Sequence, residues 1–317
     1  MINIKNIVFK FFIFILTINV VSISTLQAEN VKILIKINNQ IITNIDIEQE
    51  ARYLIALNKD LNKLNKEDLI KISKDSLIRE KVKYSEINRI FNFEEYNNKE
   101  ILDSVMKSFY SNLGMQNEED FQSYLNENNL NYKEVKNKIK IEVLWNQLIG
   151  QIYKDQIFID EKKLKENIKI NNLNVKTLIE YDLSEIVFEL SENETLKTKF
   201  NVISNNINEI GFGPTANKFS ISDSAKFGGK IGKIQENQLS KIILSKLKTL
   251  KEGEISNPIK VGAGYLILMV NEKSKTENVI DEEKLLKSLI LAERQRQFNQ
   301  YSLIHFNKIK LNSTYNE

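Results

Sequence analysis

Residues 227–233 (FGGKIGK) combine glycine and lysine in the manner of phosphate-binding loops. A P-loop has the pattern Gly-x-x-x-x-Gly-Lys followed by Ser or Thr, whose hydroxyl contacts magnesium. Here Gly232 and Lys233 are followed by Ile234, and Gly228 lies one position too close to Gly232. The stretch therefore does not predict nucleotide binding, and we interpret it as a glycine turn.

Side chains for nucleophilic or metal-based catalysis are scarce. The sequence contains one histidine, His305, and no cysteine. Serine–histidine catalysis, thiolate chemistry and histidine-based metal sites therefore have almost no residues to use. His305 falls in the run SLIHFNKIKL, which we interpret as a strand, and we expect it to be a partly buried or surface residue rather than a catalytic one.

The charge balance argues against a nucleic-acid-binding protein. The chain has 45 basic and 42 acidic side chains, and without the two lysines of residues 1–28 the basic count is 43, a net charge of +1. A nucleic-acid binder normally carries a clear basic excess. With 42% hydrophobic and 27% charged residues, the composition is that of a globular protein.

Residues 1–28 have the layout of a secretory signal peptide. Lys5 and Lys10 provide a basic start, an apolar run extends from residue 11 to about 23, and Ala28 ends a short cleavage motif. The run is short for a membrane span, which needs about 20 apolar residues. We therefore predict cleavage after Ala28, and the alternative is an uncleaved membrane anchor.

The chain from residue 31 to about 175 is predicted to be mostly helical. It opens with a strand, a turn at Asn38-Asn39 and a helix that Thr43 and Asp46 cap. Apolar residues at helical spacing predict further helices. Their boundary residues are Gly114 as a stop, Asn117 as a cap and Tyr153 as an end.

The pattern then changes to a mixture of strands and helices. Residues 183–190 predict a strand, and apolar residues at helical spacing predict helices over 196–207 and 239–250. The run NPIKVGAGYLILMV predicts a hairpin. A helix from about 281 to 300 and a strand in SLIHFNKIKL end the chain. The sequence thus favours a helical part joined to an α+β part.

A longer stretch around the glycines, residues 211–232, resembles the signature of parvulin-type peptidyl-prolyl isomerases. The matching residues are Phe212-Gly213, Ala216, Phe219-Ser220, Ser224-Ala225, Gly228-Gly229 and Ile231-Gly232. Residues 250–258 (LKEGEISNP) and Gly264-Tyr265 are similar to the closing elements of that family. The resemblance covers about residues 177–275. In that family the double glycine forms a tight turn between the active-site loop and a core strand.

The complete layout resembles the SurA-type periplasmic chaperones. Residues 37–50 (INNQIITNIDIEQE) look like the opening segment of that family, and ERQRQFNQYSLIHFNKIKL looks like its closing segment. The resemblance implies an α+β fold and a periplasmic location. The implied segments are a signal peptide at 1–28, a helical chaperone domain at 29–176, one parvulin-like α/β domain at 177–275, and a C-terminal helix and strand at 276–317 that pack on the chaperone domain.

The parvulin resemblance also implies a substrate site. The apolar proline pocket of the family corresponds to Ile231, Leu239 and Ile243, of which Leu239 and Ile243 lie four residues apart on the predicted helix. The alternative for these two residues is ordinary helix core. Leu266 stands where the family has a histidine on its last strand. We take Ile231, Leu239, Ile243 and Leu266 as the candidate substrate-binding residues.

The polar half of the implied site differs from the family. Glu185 replaces a histidine on the first strand, and Ser222 replaces the Cys or Asp of the active-site loop. Both can form hydrogen bonds, so they are the candidate catalytic residues, although Glu185 has the alternative of an exposed strand residue. Such an isomerase needs no cofactor, no metal and no covalent intermediate.

Two hypotheses about function follow from the resemblance. The first is a parvulin-type isomerase, weakened by the substituted polar positions, that acts on unfolded exported proteins. The second is a non-catalytic chaperone that holds extended segments in an apolar groove. The implied partners are unfolded polypeptides such as precursors of outer-membrane proteins, and neither nucleic acid nor nucleotide is expected.

Overall fold

The computed structural model describes residues 31–96, 98–170, 177–262, 264–277 and 282–316. The predicted signal peptide and its cleavage site lie outside these residues. The chain from Ile33 onward forms one compact unit. Among the described residues, no helix combines the length and the apolar character that a membrane span requires.

The N-terminal part opens with a β-hairpin and a capped helix. Strands β1 (Ile33–Ile37) and β2 (Gln40–Thr43) pair antiparallel, and Asn38 between them has a φ of 51°. Helix α1 (Asn44–Leu57) follows, and the Asp46 carboxylate accepts a hydrogen bond from Thr43 N at 2.7 Å. The predicted turn and capping pair are confirmed. The prediction missed β2, because four residues are too few to show a clear alternation.

Further helices complete the helical part. They are α2 (Lys66–Ile90), α3 (Lys99–Asn112), α4 (Glu118–Glu127), α5 (Tyr132–Tyr153) and α6 (Glu161–Ile170), with 3-10 turns at Lys59–Lys63 and Lys154–Gln156. Asn117 caps α4, and Gly114 follows α3 with a φ of 85°, as predicted. The end of α5 at Tyr153 is also confirmed. Phe121 and Trp145, both fully buried, belong to two apolar clusters of this part.

The second part is built on a four-stranded antiparallel sheet. Its elements are β3 (Thr177–Phe188), α7 (Leu196–Ile210), α8 (Phe212–Phe219), β4 (Lys230–Gln235), α9 (Lys241–Leu247), β5 (Ile259–Val261) and β6 (Gly264–Glu277). The strands lie in the order β4-β3-β6-β5. One face of the sheet packs in a cluster with Leu183 and Leu266, and the other in a cluster with Ile186 and Ile203. The predicted first strand, the helix after it and the closing hairpin are confirmed.

Leu239 does not lie on a helix, contrary to the prediction of one helix over 239–250. Helix α9 begins only after Ser240, whose hydroxyl accepts a hydrogen bond from Ile243 N at 3.3 Å. Leu239 therefore precedes the helix, and Leu250 follows it. Leu239 and Ile243 still belong to the same apolar cluster. The two residues are therefore four positions apart across the N-cap of the helix, and not one turn apart on the same helix.

The prediction of a strand in SLIHFNKIKL was wrong, because helix α10 (Glu282–Asn312) continues through it. Phe298, Tyr301 and Phe306 from α10 pack on the cluster around Trp145. This contact buries one side of the helix and outweighs the strand-like alternation of the run. His305 consequently lies on a helix.

The short closing strand β7 (Tyr315–Asn316) pairs with β1 of the opening hairpin. Trp145 Nε1 donates to Ser302 Oγ at 2.8 Å. The C-terminal segment therefore contacts the N-terminal part through a strand pair and through α10. The limits of the four predicted segments stay a prediction.

Candidate functional site

Glu185 lies within β3, which pairs with a strand on each side. Its backbone N–H donates to Gly229 O at 2.7 Å, and its Cα partner on β6 is Leu268. Because side chains alternate along a strand, Glu185 shares a sheet face with Leu183 and Val187. That face carries the apolar cluster that contains Leu266. The half-buried Glu185 carboxylate thus stands beside an apolar surface.

Two serine hydroxyls bind the Glu185 carboxylate. Ser222 Oγ donates to Glu185 Oε1 at 2.6 Å, and Ser224 Oγ donates to the same oxygen at 2.9 Å. The two hydroxyl oxygens are 3.2 Å apart. The structure brings the candidate residues Glu185 and Ser222 together. Sequence reasoning treated Ser224 only as part of the family signature, although the Ser-x-Ser spacing could have indicated it.

The loop with both serines is attached to β3 through hydrogen bonds to Val187. Ile221 N donates to Val187 O at 2.8 Å, and Ser220 Oγ accepts from Val187 N at 3.0 Å. Ser222 is the N-cap of a 3-10 helix, Asp223–Phe227. These contacts determine the direction from which the two hydroxyls approach Glu185.

The double glycine closes this loop at the point where it passes the backbone of Glu185. Gly228 and Gly229 have φ values of 69° and 78°, and β4 begins directly after them. A Cβ atom at Gly229 would lie 2.3 Å from Glu185 O. The turn therefore requires glycine for its backbone conformation and for its closeness to Glu185. The predicted glycine turn is confirmed.

Three of the four predicted substrate-binding residues belong to one cluster on the Glu185 face of the sheet. Leu266 is 7% exposed, and Leu239 and Ile243 are half-buried against the same cluster. Ile231 is 36% exposed, lies at an irregularity in the β3–β4 pairing, and is not a member of that cluster. The arrangement therefore brings Leu239, Ile243 and Leu266 together and leaves Ile231 apart from them.

Asp223, between the two serines, contacts the helical part. Lys83 Nζ on α2 lies 3.1 Å from Asp223 Oδ1 and 2.7 Å from Glu142 Oε2. Desolvation of the carboxylate, which by itself would raise its pKa, is outweighed by the charges of Lys83 and Lys226, so the pKa of Asp223 lies well below its ordinary value. Burial alone would lower the pKa of Lys83, but Asp223 and Glu142 raise it.

The chemistry available to this group is electrostatic. A serine hydroxyl carries one proton, and both hydroxyls point at Glu185, so the group presents lone pairs and negative charge beside an apolar surface. Among the described residues, no group of three or more histidine, aspartate or glutamate side chains is arranged to hold a metal ion. The arrangement can therefore act on the partial charges of a polar group that lies over the apolar side chains.

Most of the second part is similar to a known protein family. Residues 183–272 match the rotamase family, described as the PPIC-type PPIASE domain. We refer to these residues as the rotamase domain. The rotamase domain contains Glu185, Ser222 and all four predicted substrate-binding residues. It covers less than half of the chain, and the helical part lies outside it.

Just over half of the chain is similar to the SurA chaperones. It is 26% identical over 182 residues to "Chaperone SurA" of Salmonella paratyphi A, a match that covers 54% of this chain and 42% of that protein. The match to "Chaperone SurA" of Escherichia coli O6:H1 is 26% identical over 204 residues and covers 60% and 47% of the two chains. The matched region thus spans less than half the length of these curated relatives.

The solved structures similar to this chain include a SurA-like chaperone of Campylobacter jejuni. It is one of a pair described as the virulence factor PEB4 and the periplasmic protein Cj1289. It is 17% identical, and the match covers 90% of this chain and 98% of that one with a TM-score of 0.35. A crystal structure of PrsA from Bacillus subtilis is 18% identical and covers 88% of this chain and 91% of that one, with a TM-score of 0.29.

Proposed function

We propose that this protein is a periplasmic folding factor whose rotamase domain accelerates the cis–trans isomerisation of Xaa-Pro bonds in unfolded polypeptides. The observation that carries the proposal is the group Glu185–Ser222–Ser224, which shares one sheet face with Leu239, Ile243 and Leu266. A proline ring needs an apolar surface, and the amide before it needs a polar one. The rotamase family match supports the same activity.

The physical task is to make the amide bond easier to twist. Amide resonance sets a rotation barrier of about 18–20 kcal/mol, so an unaided Xaa-Pro bond takes tens to hundreds of seconds to isomerise. The planar amide carries negative partial charge on its oxygen, and this charge decreases in the twisted state. A carboxylate such as Glu185 near that oxygen would disfavour the planar state more than the twisted one. The reaction breaks no covalent bond and needs no cofactor.

The location and the clients belong to the same proposal. The signal-peptide layout of residues 1–28 and the relation to SurA support export to the periplasm. Precursors of outer-membrane proteins are the clients we propose, because they cross the periplasm unfolded and contain extended segments rich in aromatic residues. Mature protein that begins near Glu29, determined by N-terminal sequencing, would agree with this location, whereas an intact Met1 would contradict the cleavage.

One observation favours the non-catalytic chaperone as a second candidate. A cavity of about 200 Å³ lies between the helical part and the rotamase domain. Its lining combines charged side chains, such as Glu50 and Lys138, with apolar ones, which include Leu54, Phe109 and Ile139 from the helical part and Phe227 from the rotamase domain. An apolar side chain of an extended client could occupy such a cavity without any isomerisation.

A protease-coupled assay on a proline-containing peptide distinguishes the two functions. An isomerase accelerates the slow phase in proportion to protein concentration and turns over many peptides per molecule. A chaperone that only binds leaves that rate unchanged and suppresses the aggregation of an unfolded client at stoichiometric concentrations. Acceleration refutes the purely non-catalytic candidate, and an unchanged rate refutes the isomerase.

A further inference from the structure

Lys83 is a buried cation at the contact between the helical part and the rotamase domain. Its side chain is 4% exposed, and its Nζ lies 5.6 Å from the centroid of the Trp145 ring. A buried ammonium group is costly unless charged partners surround it. Glu142 on α5 is one partner, at 2.7 Å, and the rotamase residue Asp223 is the other, at 3.1 Å.

Asp223 connects this cation to the candidate site through one peptide unit on each side. Ser222 precedes it and Ser224 follows it, and both serine hydroxyls donate to Glu185 Oε1. A shift of the Asp223 backbone would therefore move both hydroxyls at once.

Other contacts hold the same loop against the helical part. Arg79 on α2 donates to Ser220 O at 3.5 Å, and Lys226 lies 3.5 Å from Glu142. Phe227 packs edge-on against Phe109 of α3, with ring centroids 5.5 Å apart. The loop is thus bound on one side to β3 and on the other side to α2, α3 and α5.

We propose that Lys83, a residue of the helical part, is a positioning residue for the isomerase site and acts through Asp223 on the Ser222 and Ser224 hydroxyls. Movements of α2 relative to the rotamase domain then change the geometry around Glu185. The helical part and the isomerase site are coupled by this ion pair. The inference rests on the proposed isomerase function.

The test compares two ion pairs that join the same two parts of the chain. Asp223→Asn removes the charge that Lys83 contacts, and the variant is expected to fold because Glu142 remains as a carboxylate partner of Lys83 at 2.7 Å. Asp68→Asn is the matched control, because Lys218 Nζ lies 2.8 Å from Asp68 Oδ1 across the same contact and neither residue touches the two serines. Lys83→Met and the double variant Lys83→Met/Asp223→Asn complete a double-mutant cycle.

We expect Asp223→Asn and Lys83→Met each to lower kcat about tenfold, because a small displacement of site groups has effects of this size or larger. KM is expected to change less than about twofold, since the apolar residues that hold proline are untouched. The double variant is expected to be no slower than either single variant. Asp68→Asn is expected to keep kcat within about twofold, because the ion pair between Asp68 and Lys218 makes no contact with Ser222 or Ser224.

The folded fraction of each variant at the assay temperature is measured by urea unfolding, and kcat is divided by it. Folded Asp223→Asn protein with kcat within about twofold of wild type overturns the proposal. If Lys83→Met does not fold, Asp223→Asn and its control decide alone. Equal losses in Asp223→Asn and Asp68→Asn would also overturn it, because they would indicate a general effect of domain contact.

A second measurement separates this inference from the proposed function. The carboxyl carbon resonance of Glu185 reports the hydrogen bonds from Ser222 and Ser224 without any turnover. It is expected to shift in Asp223→Asn and to stay in place in Asp68→Asn. If wild-type protein has no isomerase activity, the proposed function fails, and the positioning role is then decided by this resonance: an unshifted Glu185 signal in Asp223→Asn refutes it.

Discussion

Glu185 and Ser222 lie 37 positions apart in the chain, and the Ser222 hydroxyl donates to the Glu185 carboxylate at 2.6 Å. The contact forms because the loop after α8 returns to β3 and is fixed there by Ser220 and Ile221. One residue is on the central strand pair of the sheet and the other begins a short helix. Their closeness therefore depends on the turn that closes the loop.

Gly229→Ala is predicted to distort this turn. A Cβ at Gly229 would lie 2.3 Å from Glu185 O, whereas a Cβ at Gly232 would have no neighbour within 4 Å. Both glycines have similar positive φ values, 78° and 80°, so the backbone strain of about 1–2 kcal/mol is common to both. We expect Gly229→Ala to lose more free energy of unfolding than Gly232→Ala, as measured in urea. Equal losses would show that the contact with Glu185 is unimportant.

Leu239→Asp is predicted to weaken the binding of a proline-containing peptide about tenfold or more, because an unpaired charge on an apolar surface must be desolvated. Ile242→Asp is the control, since Ile242 is 65% exposed on the adjacent helix α9. Peptide affinity is measured by fluorescence polarisation, and folding by thermal melting. A folded Leu239→Asp variant with full affinity refutes the pocket, and an unfolded variant favours the core interpretation of Leu239.

Deletion of residues 281–317 is predicted to destabilise the helical part, and a single substitution tests the same contact more finely. Phe306 packs against Trp145, with ring centroids 6.4 Å apart. We expect Phe306→Ala to lower the free energy of unfolding by about 2–4 kcal/mol. Leu311→Ala on the same helix, where Leu311 is 85% exposed, is expected to change it by about 0.5 kcal/mol or less. Equal stability of both variants in urea would contradict the packing of α10.

His305 predicts a pH dependence of stability. Desolvation lowers the pKa of His305 and outweighs the opposing effect of Glu86, whose Oε1 lies 3.5 Å away. As the pH falls through about 6.5, the ordinary histidine pKa, the unfolded chain binds a proton before the folded one does. Stability is therefore full above that value and declines as the pH falls towards the lowered pKa.

The chain has one histidine, so a change of stability in this pH range is assigned to the titration of His305. We expect the urea midpoint of the wild type to decrease when the pH is lowered from about 7.5 to about 5.5. The midpoint of His305→Gln is expected to fall less over the same range. An identical decline in both proteins would assign the effect to other groups.

The features that sequence predicted correctly depend on residues close together in the chain. The Thr43–Asp46 cap, the Gly228-Gly229 turn and the hairpin before Gly264 are each determined by a few neighbouring residues. The strand predicted around His305 was wrong because packing on the distant residue Trp145 stabilises a helix there. The error at Leu239 was local, because Ser240 caps α9 and leaves Leu239 outside the helix.

The candidate site shows the same limit. Family resemblance selected Glu185 and Ser222 without showing that they touch. Ser224 lies 39 positions from Glu185, and Lys83 lies 140 positions from Asp223. No local pattern connects positions so far apart, so these partners became visible only in the folded chain.

Glu185→Gln tests the central claim most directly. Glutamine keeps the size of the side chain and an oxygen that accepts from Ser222 and Ser224, so the variant removes the charge and preserves the shape. Glu180→Gln on the same strand is the control, because Glu180 faces Lys233 at 3.8 Å and takes no part in the serine contacts. The stability of both variants is compared with wild type before any rate is interpreted.

The measurement is kcat/KM for a proline-containing peptide in the protease-coupled assay. We predict that Glu185→Gln lowers it about tenfold or more, since electrostatic groups at a reacting bond contribute effects of that size, while Glu180→Gln stays close to wild type. Wild-type kcat/KM in folded Glu185→Gln would contradict the account, because the charge of Glu185 would then have no part in isomerisation.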